Sequence, residues 1–429
     1  MTATAARVAV VGGGWAGCTA ALTLAEAGIP VTLYEAARTL GGRARAVELD
    51  GRRLDNGQHI LLGAYEQTLH LIARLSPREA GLWRLPLALR QPPEFALDCP
   101  SLPAPFHLVA GLLRAEGLDW QDKLAAALWV RRQLGSEPVP ALTVSELTRD
   151  QPAKLNRLLW HPLCVSALNT PPRKACAQVF RNVIRDAFGR SRKHSDLVLP
   201  QRDLTTLLPA PAAARIVALG GRVLTSTRVA GVEAEGDAIA VTTRDARTRY
   251  SHVVIAVAPQ HLGALIAPMA ALTPMAALTP LAHDLAGYRY EPIATGYVQY
   301  DPAFRLGAPL FALGDGPAQF VFDRGQSHGE AGLLAFVASA AADLVGDWLD
   351  AAEAQLGRIA KPGPAHWRRV ITEKQATYAC TPGLARPGVT TAHPRVFLAG
   401  DYTAGPYPAT LESATRSGLQ SARSLLETL

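Results

Sequence analysis

The sharpest change in hydrophobic pattern falls near the start of the chain. Four consecutive apolar residues, Val8 to Val11, read as a strand buried on both faces. Glycines follow at 12, 14 and 17, and then an alanine-rich stretch, Cys18 to Ala27, with helical character that ends at Gly28. A second run, Pro30 to Tyr34, reads as a strand and closes on Glu35. Together they predict a βαβ unit and an α/β class. Further along, 106–116, 119–134 and 143–189 read as helical, the last broken at Asn169-Thr170-Pro171-Pro172. Residues 215–259 return to strand: 227–233 and 238–242 form a hairpin, and 250–259 is a buried strand ending at Pro259. Strand patterns recur over 290–345, at Gln319–Phe322 and Leu333–Val337. The last pattern is a short strand, Arg395 to Leu398, ending in Gly400-Asp401, with a helix over about 409–425.

The turn of the first unit carries chemistry. Its G-x-G-x-x-G places Gly12 in the tight turn, Gly14 where a pyrophosphate approaches the backbone, and Gly17 where helix and strand pack closely. The helix N-terminus offers unpaired N–H groups and a partial positive charge to phosphates. Glu35 stands where a carboxylate accepts hydrogen bonds from an adenosine ribose. Gly41-Gly42-Arg43 comes six residues after Glu35. A second close-approach glycine pair beside an arginine suits a longer, folded-over ligand, FAD. At the other end of the chain, Asp401 is placed to accept a bond from a ribitol hydroxyl. The helix start around Thr410 to Ser413 is placed to face the flavin pyrimidine.

Between these ends lies Arg53 to Tyr65, where Gly57 and Gly63 mark loops and Gln58 and His59 interrupt an apolar run. With a flavin present this loop is expected beside the ring. His59 is the candidate proton donor; a histidine bonded to backbone in a structural role is the alternative. Gly325-Gln326-Ser327-His328-Gly329 matches G-x-S-x-G literally. A nucleophile elbow needs a strand before it and a helix after it. Strand-like runs flank it on both sides, so a hairpin turn is expected.

Size and charge narrow the classes. At 429 residues, two domains are the default. The formal charge of +7 is scattered, with no basic block of the kind that tracks nucleic acid. The eleven histidines include no H-E-x-x-H and no ligand cluster, so no metal is expected. The five cysteines, at 18, 99, 164, 176 and 380, never form C-x-x-C, which favours a reducing cytoplasm. The first strand starts too early for a secretory signal to precede it. No charge occurs from Ser251 to Ala282, but Pro259, Pro268, Pro274 and Pro280 interrupt that stretch. A spanning helix is not expected there. The tandem Pro-Met-Ala-Ala-Leu-Thr at 268–279 within it reads as a loop duplication. Trp83, Trp120 and Trp129 lie beside Arg84, Lys123 and Arg131. On amphipathic helices such residues either pack with snorkelling charges or rest on the inner face of the cytoplasmic membrane.

These motifs resemble the amine oxidase/carotenoid desaturase superfamily of FAD enzymes over the whole chain. The residues that carry it are G-x-G-x-x-G with Glu35 and Gly41-Gly42-Arg43, the strand ending Val257-Ala258-Pro259, and Gly400-Asp401 with Glu412 and Ser417-Gly418. The resemblance implies a Rossmann-type FAD-binding domain assembled from segments 1–75, 205–265 and 385–429. An α+β substrate domain is inserted as 76–204, mainly helical, and 266–384, strands and helices. It also implies that the Val229 backbone contacts the adenine end, Leu411 the pyrimidine, and Gly57, Gln58 and His59 the ring face. Ser413 departs from the pattern, since relatives usually carry glycine after the glutamate. Some relatives bind flavin through cysteine. Cys380 lies twenty residues before Gly400, a spacing that does not match, so non-covalent FAD is expected.

Asp55 to Tyr65, Leu168-Asn169-Thr170-Pro171 and Tyr402 to Pro408 are similar to the squalene-associated desaturase group, which includes hydroxysqualene dehydroxylases of hopanoid synthesis. That implies reductive dehydroxylation of hydroxysqualene to squalene, with an apolar isoprenoid as substrate. The alternatives are a polyprenoid desaturase, an amine oxidase, and a non-catalytic lipid carrier on the same fold. Carriers of that kind have lost the flavin glycines and the C-terminal Gly-Asp, both present here.

Overall fold

The structure is a computed structural model that describes residues 6–76, 81–135, 141–266, 277–344 and 346–429. The βαβ unit forms where its pattern places it. Strands Val8–Val11 and Val31–Tyr34 pair in parallel, Val8 opposite Val31, and helix Trp15–Glu26 crosses between them. Three strands distant in sequence complete a parallel sheet. Arg222–Leu224 flanks Val31–Tyr34, His252–Ile255 flanks Val8–Val11, and Val396–Leu398 forms the far edge.

Period-two alternation divides the sheet's side chains between two cores. Val8, Val10, Val254 and Phe397 pack with helices Trp15–Glu26, Pro209–Ala218 and Leu411–Leu426. Ala9, Val11, Val253, Ile255 and Leu398 face the other way, onto an antiparallel sheet of Val229–Glu235, Ala238–Thr243 and Arg247–Tyr250. Burial on both faces is why these strands are continuously apolar. The expected hairpin at 227–242 is the first two strands of that antiparallel layer. The stretch 215–259 departs from its strand reading at the start, because helix Pro209–Ala218 runs into it. Its first proline occupies the first helical turn, where no N–H is needed.

A second body is built on a five-stranded antiparallel sheet. Its order is Leu310–Ala312, Phe320–Asp323, Leu333–Ala338, Tyr290–Gln299, Trp367–Tyr378. The G-x-S-x-G stretch connects two antiparallel neighbours of this sheet, as a hairpin does. The connection holds a five-residue helix, Arg324–His328, and Ser327 is buried. Helices Phe106–Arg114, Trp120–Gln133, His161–Leu168 and Ala177–Phe188 form a cluster beside it. Hairpin Ala88–Gln91/Phe95–Asp98 lies against helix Phe106–Arg114. The uncharged stretch 251–282 becomes a strand, a turn at Pro259–His261 and two short helices, Leu262–Ile266 and Thr279–Ala286. Residues 268–276 of the tandem hexapeptide lie outside the described residues. Among the described residues no helix is long and apolar enough to cross a membrane.

Two predictions follow from this packing. A Cβ on Gly17 would lie 1.9 Å from the Gly12 carbonyl oxygen, inside the strand–helix turn. Gly17→Ala is expected to lose ~1–3 kcal/mol of stability and to bind less flavin, read by urea midpoint and visible absorbance. Unchanged values would show that the turn yields at no cost.

Burial lowers the pKa of six of the eleven histidines, His59, His107, His161, His252, His328 and His393, with His328 reaching about 3. The unfolded chain takes up these protons near pH ~6.5 while the folded chain does not, so stability falls as pH drops below that point. Two carboxyls raised by desolvation, Asp55 to about 6 and Glu291, oppose this at lower pH, two groups against six. The urea midpoint is therefore expected to decline from pH 7 to 5, less steeply in His328→Asn. A flat profile would mean that the folded protein protonates these rings.

Candidate functional site

A cavity of about 840 Å³ is lined by the parallel sheet, the antiparallel sheet and the helical cluster. Gly12, Gly14, Glu35, Gly41, Gly42, Arg43, Gly57, Gln58, His59, Val229, Gly400, Asp401 and Leu411 all line it. Residues separated by nearly 400 positions thus meet on one surface. Gly17 and Glu412 do not line it.

The cradle end is built from the two glycine turns. Gly14 precedes helix Trp15–Glu26, and a Cβ there would meet only the Gly42 Cα, at 3.9 Å. That open side is where a ligand reaches the backbone. Gly14 and Gly41 form a parallel bridge, which sets the second glycine turn against the first. The Glu35 carboxylate accepts from the Gly13 N–H at 2.6 Å and the Ala37 N–H at 2.7 Å. Those bonds hold it at the end of its strand on the cavity wall.

Arg43 and Asp401 are each other's partners. The Arg43 guanidinium donates to both Asp401 oxygens, at 2.7 and 2.6 Å, and to the Ala376 carbonyl at 2.7 Å. Burial works against the Arg43 charge, and Asp401, with Tyr290 and Glu373, more than offsets this, so Arg43 holds its proton more firmly than a free guanidinium. Arg386 donates to the carbonyls of Asp401 at 3.0 Å and Tyr407 at 2.7 Å, holding the turn between strand and helix. Thr410 caps helix Leu411–Leu426 by accepting from the Ser413 N–H at 3.1 Å. Ser413 Oγ donates to the Pro408 carbonyl at 2.7 Å, so the residue that departs from the glycine pattern turns its hydroxyl into the loop.

Glu412 is fully buried elsewhere. It accepts from the Gln67 and Thr68 N–H groups at 3.2 and 2.9 Å and from Arg416 at 2.6 Å. It therefore caps helix Glu66–Leu75 and joins it to the C-terminal helix.

The loop expected at the ring face is anchored from below. Gln58 N donates to Thr295 Oγ1 at 3.3 Å, and its side-chain oxygen accepts from Arg324 at 2.9 Å. Arg324 is 1 % exposed, pairs with Glu330, and lies 3.7 Å from Asp55. His59 Nδ1 lies 2.9 Å from the Gly57 carbonyl. A carbonyl only accepts, so in the neutral ring Nδ1 carries the hydrogen and Nε2 is left as the acceptor. His59 thus makes the backbone bond of a structural histidine while lining the cavity.

The other end of the cavity is apolar. Helix Ala177–Phe188 contributes Phe180, Val183, Ile184 and Ala187, and the antiparallel sheet contributes Phe320 and Phe322. Sequence reasoning passed over these residues. The helical spacing at 180, 183, 184 and 187 and the alternation at 320 and 322 were available signals. Arg324 had no such signal, because its partners lie on other elements. Asn169, in the break between helices, donates to the Glu291 carbonyl at 3.1 Å and Thr377 Oγ1 at 2.9 Å, and accepts from Ala340 N at 2.6 Å. It joins the helical cluster to the sheet. Among the described residues no group of three or more His, Cys, Asp and Glu could hold a metal ion. Cys380 is buried, its thiol pushed up to about 12 by desolvation, and no cysteine of the described residues lines the cavity.

An open glycine cradle, a carboxylate at the second strand end and a capped helix start facing the same cavity fit FAD. Fold and site therefore define a flavin-dependent oxidoreductase of the Rossmann-containing type. The family profile described as flavin containing amine oxidoreductase matches residues 15–426, and the chain belongs to that family. It is 27 % identical to a hydroxysqualene dehydroxylase of Sinorhizobium fredii, over 97 % of both chains. It is 25 % identical to a 15-cis-phytoene desaturase of Synechococcus elongatus, over 98 % of this chain and 96 % of that one. A solved oxidoreductase from Methanosarcina mazei shares the fold at a TM-score of 0.73 and 15 % identity, covering 98 % of this chain and all of the other.

The Arg43–Asp401 pair yields a prediction. Charge-assisted bonds of this kind contribute ~1.5–3 kcal/mol, about 10- to 100-fold in affinity. Asp401→Ala and Arg43→Met are each expected to lose flavin on dialysis by that factor, and the double variant no more than the worse single one. Full flavin occupancy in Asp401→Ala would remove the pair from the cofactor site.

Proposed function

We propose that the chain reduces an apolar isoprenoid, and that its reaction is the reductive dehydroxylation of hydroxysqualene to squalene in hopanoid biosynthesis. The observation that carries this reading is the division of the cavity. Among the described residues its charged lining is Glu35, Arg43, Arg45, Arg228, Glu373 and Asp401. Glu35, Arg43 and Asp401 belong to the cradle, Arg45 bonds the Gly42 carbonyl, and Glu373 bonds Asn56 in the adjoining loop. The helix Ala177–Phe188 side and the Phe320/Phe322 face bring no charge. A long hydrocarbon fits such an arm; an ammonium finds no carboxylate on those faces. Similarity to hydroxysqualene dehydroxylases over nearly the whole chain supports the same substrate class. Desaturation of a polyprenoid is the second reading, favoured by the phytoene desaturase relative and served by the same apolar arm.

In this reading Gly12, Gly14, Glu35 and Val229 hold the adenosine and pyrophosphate end. Gly41 to Arg43, Gly400, Asp401 and Leu411 hold the flavin end, and Gly57 to His59 lie at the ring face. FAD, bound non-covalently and reduced, supplies a hydride. The apolar arm orients the chain of the substrate and excludes water. His59 Nε2 carries the proton: once protonated it gives it to the hydroxyl, which leaves as water while hydrogen takes its place on carbon. A lowered pKa makes that imidazolium a stronger acid than free histidine. A substrate of this kind partitions into lipid, so peripheral contact with the inner face of the cytoplasmic membrane belongs to the proposal.

The test is anaerobic incubation of pre-reduced enzyme with hydroxysqualene, phytoene and a panel of amines. Squalene with stoichiometric flavin reoxidation is expected, at a rate that rises about tenfold per pH unit as pH falls from 8 to 6.5. His59→Ala is expected to lose that pH dependence and at least ~100-fold in rate. No squalene, with reduction of the oxidised enzyme by phytoene, would move the assignment to desaturation. Squalene formed as fast by His59→Ala would leave the reaction standing and remove its proton carrier.

A further inference from the structure

Large apolar side chains on the surface are concentrated in one place. Among the described residues twelve are exposed, and eight of them lie between Leu102 and Leu134. Leu102, Phe106, Val109 and Leu113 recur at helical spacing along helix Phe106–Arg114 and the turn before it. Trp120, Leu124 and Leu128 recur every fourth residue along helix Trp120–Gln133, with Leu134 just beyond. Phe106 is 63 % exposed and Trp120 67 %.

The inner faces of the same helices are partly polar. His107 is buried and its Nε2 lies 3.0 Å from Ser195 Oγ. Asp122, Ala126, Trp129 and Gln133 form the buried stripe of the second helix. Each helix thus has apolar side chains on both sides: Ala126 and Trp129 join the core while the outer stripe remains apolar in water. Lys123 Nζ donates to the Leu113 carbonyl at 2.8 Å and ties the two helices together.

Charge says what covers this face. Arg114, Arg131 and Arg132 are exposed and form no ion pair among the described residues. Neither helix carries an exposed carboxylate: Asp122 is buried, and the exposed Glu116 and Asp119 lie in the turn between them, so the helices themselves are basic. An anionic lipid surface meets both the apolar stripe and the arginines.

The face also backs onto the cavity. Ser195, bonded to His107, lines it. Phe180, which lines it too, lies 6.5 Å from Trp129 between ring centroids. We propose that helices Phe106–Arg114 and Trp120–Gln133 seat the protein on an anionic bilayer, with Phe106, Val109, Leu113, Trp120, Leu124 and Leu128 in the acyl-chain boundary and the wall of the cavity's apolar arm against the membrane. The purpose of this seat rests on the lipid-substrate reading; the binding itself does not.

The test uses the FAD-loaded full chain without substrate, floated with vesicles of phosphatidylcholine alone or mixed with phosphatidylglycerol. Binding to the anionic vesicles is expected, weakened by salt. Phe106→Ser with Trp120→Ser is expected to reduce it at least ~10-fold, with flavin absorbance and thermal midpoint unchanged. Arg131→Glu with Arg132→Glu leaves the apolar stripe intact and is expected to reduce binding to anionic vesicles alone by a similar factor. Absence of vesicle binding, or equal binding by both variants, overturns the proposal. So does light scattering that finds a dimer which Phe106→Ser/Trp120→Ser dissolves, since the face is then an interface between copies. Squalene formation in detergent is read separately, so loss of the membrane seat and loss of the substrate assignment are distinguishable.

Discussion

A single guanidinium holds the cavity together. Arg43 comes from the second glycine turn, Asp401 from the far edge of the parallel sheet, and the Ala376 carbonyl from the long strand Trp367–Tyr378. The Arg43 carbonyl in turn accepts from Asn56, whose amide also reaches Glu373 on that strand. Three stretches of chain with no local reason to meet are thereby fixed within hydrogen-bond distance. Removing Asp401 would leave the Arg43 charge beside a largely apolar cavity without its carboxylate, where burial already works against it.

Polar contacts of the same kind shape the rest of the site. Apolar packing fills space but is non-directional, and many arrangements of leucine and phenylalanine are nearly equivalent. Direction comes from a few buried polar side chains with several partners each. Asn169 joins the helical cluster to the antiparallel sheet. Arg324 stacks over Tyr297, neutralises Glu330 and holds Gln58, while the Tyr297 hydroxyl donates to the Asp55 carbonyl at 2.9 Å. Desolvation makes this cluster costly: it pushes Asp55 up to about 6 despite the neighbouring Arg324. The cost is offset only while every member keeps its partner. That requirement pins the loop Gly57 to His59 at one position on the cavity wall.

The cavity then separates two kinds of chemistry by geometry. Backbone N–H groups and helix starts lie at the parallel-sheet end, where strands finish and turns expose their donors. Side chains of a helix and an antiparallel sheet enclose the other end, presenting hydrocarbon because both elements turn an apolar face inward there. The helical cluster carries a further asymmetry. Its outer two helices turn aromatic and aliphatic side chains outward while histidine, aspartate and glutamine share the inner side with Ala126 and Trp129. Two exposed apolar stripes, beside arginines that form no ion pair among the described residues, are kept in water only at a cost in ordered hydration.

The sequence by itself determined the features that depend on neighbouring residues. The G-x-G-x-x-G turn, the strand closing on Glu35, the hairpin near Val229 and the Gly-Asp strand end follow from backbone geometry and period-two burial, which a few consecutive residues specify. The order of the sheet was decided by tertiary structure, as was the pairing of Arg43 with Asp401 across 358 positions. Glu412 looks in sequence like a cofactor residue, yet folding spends its carboxylate on the start of another helix. The strand Trp367–Tyr378 has charged residues along much of its length and no apolar run to announce it; it forms because a neighbouring strand supplies its hydrogen bonds. Helices Phe106–Arg114 and Trp120–Gln133 were legible as amphipathic, but not which face would turn outward. Periodicity specifies that a helix has two faces; only packing against the rest of the chain decides which of them water, or a membrane, will meet.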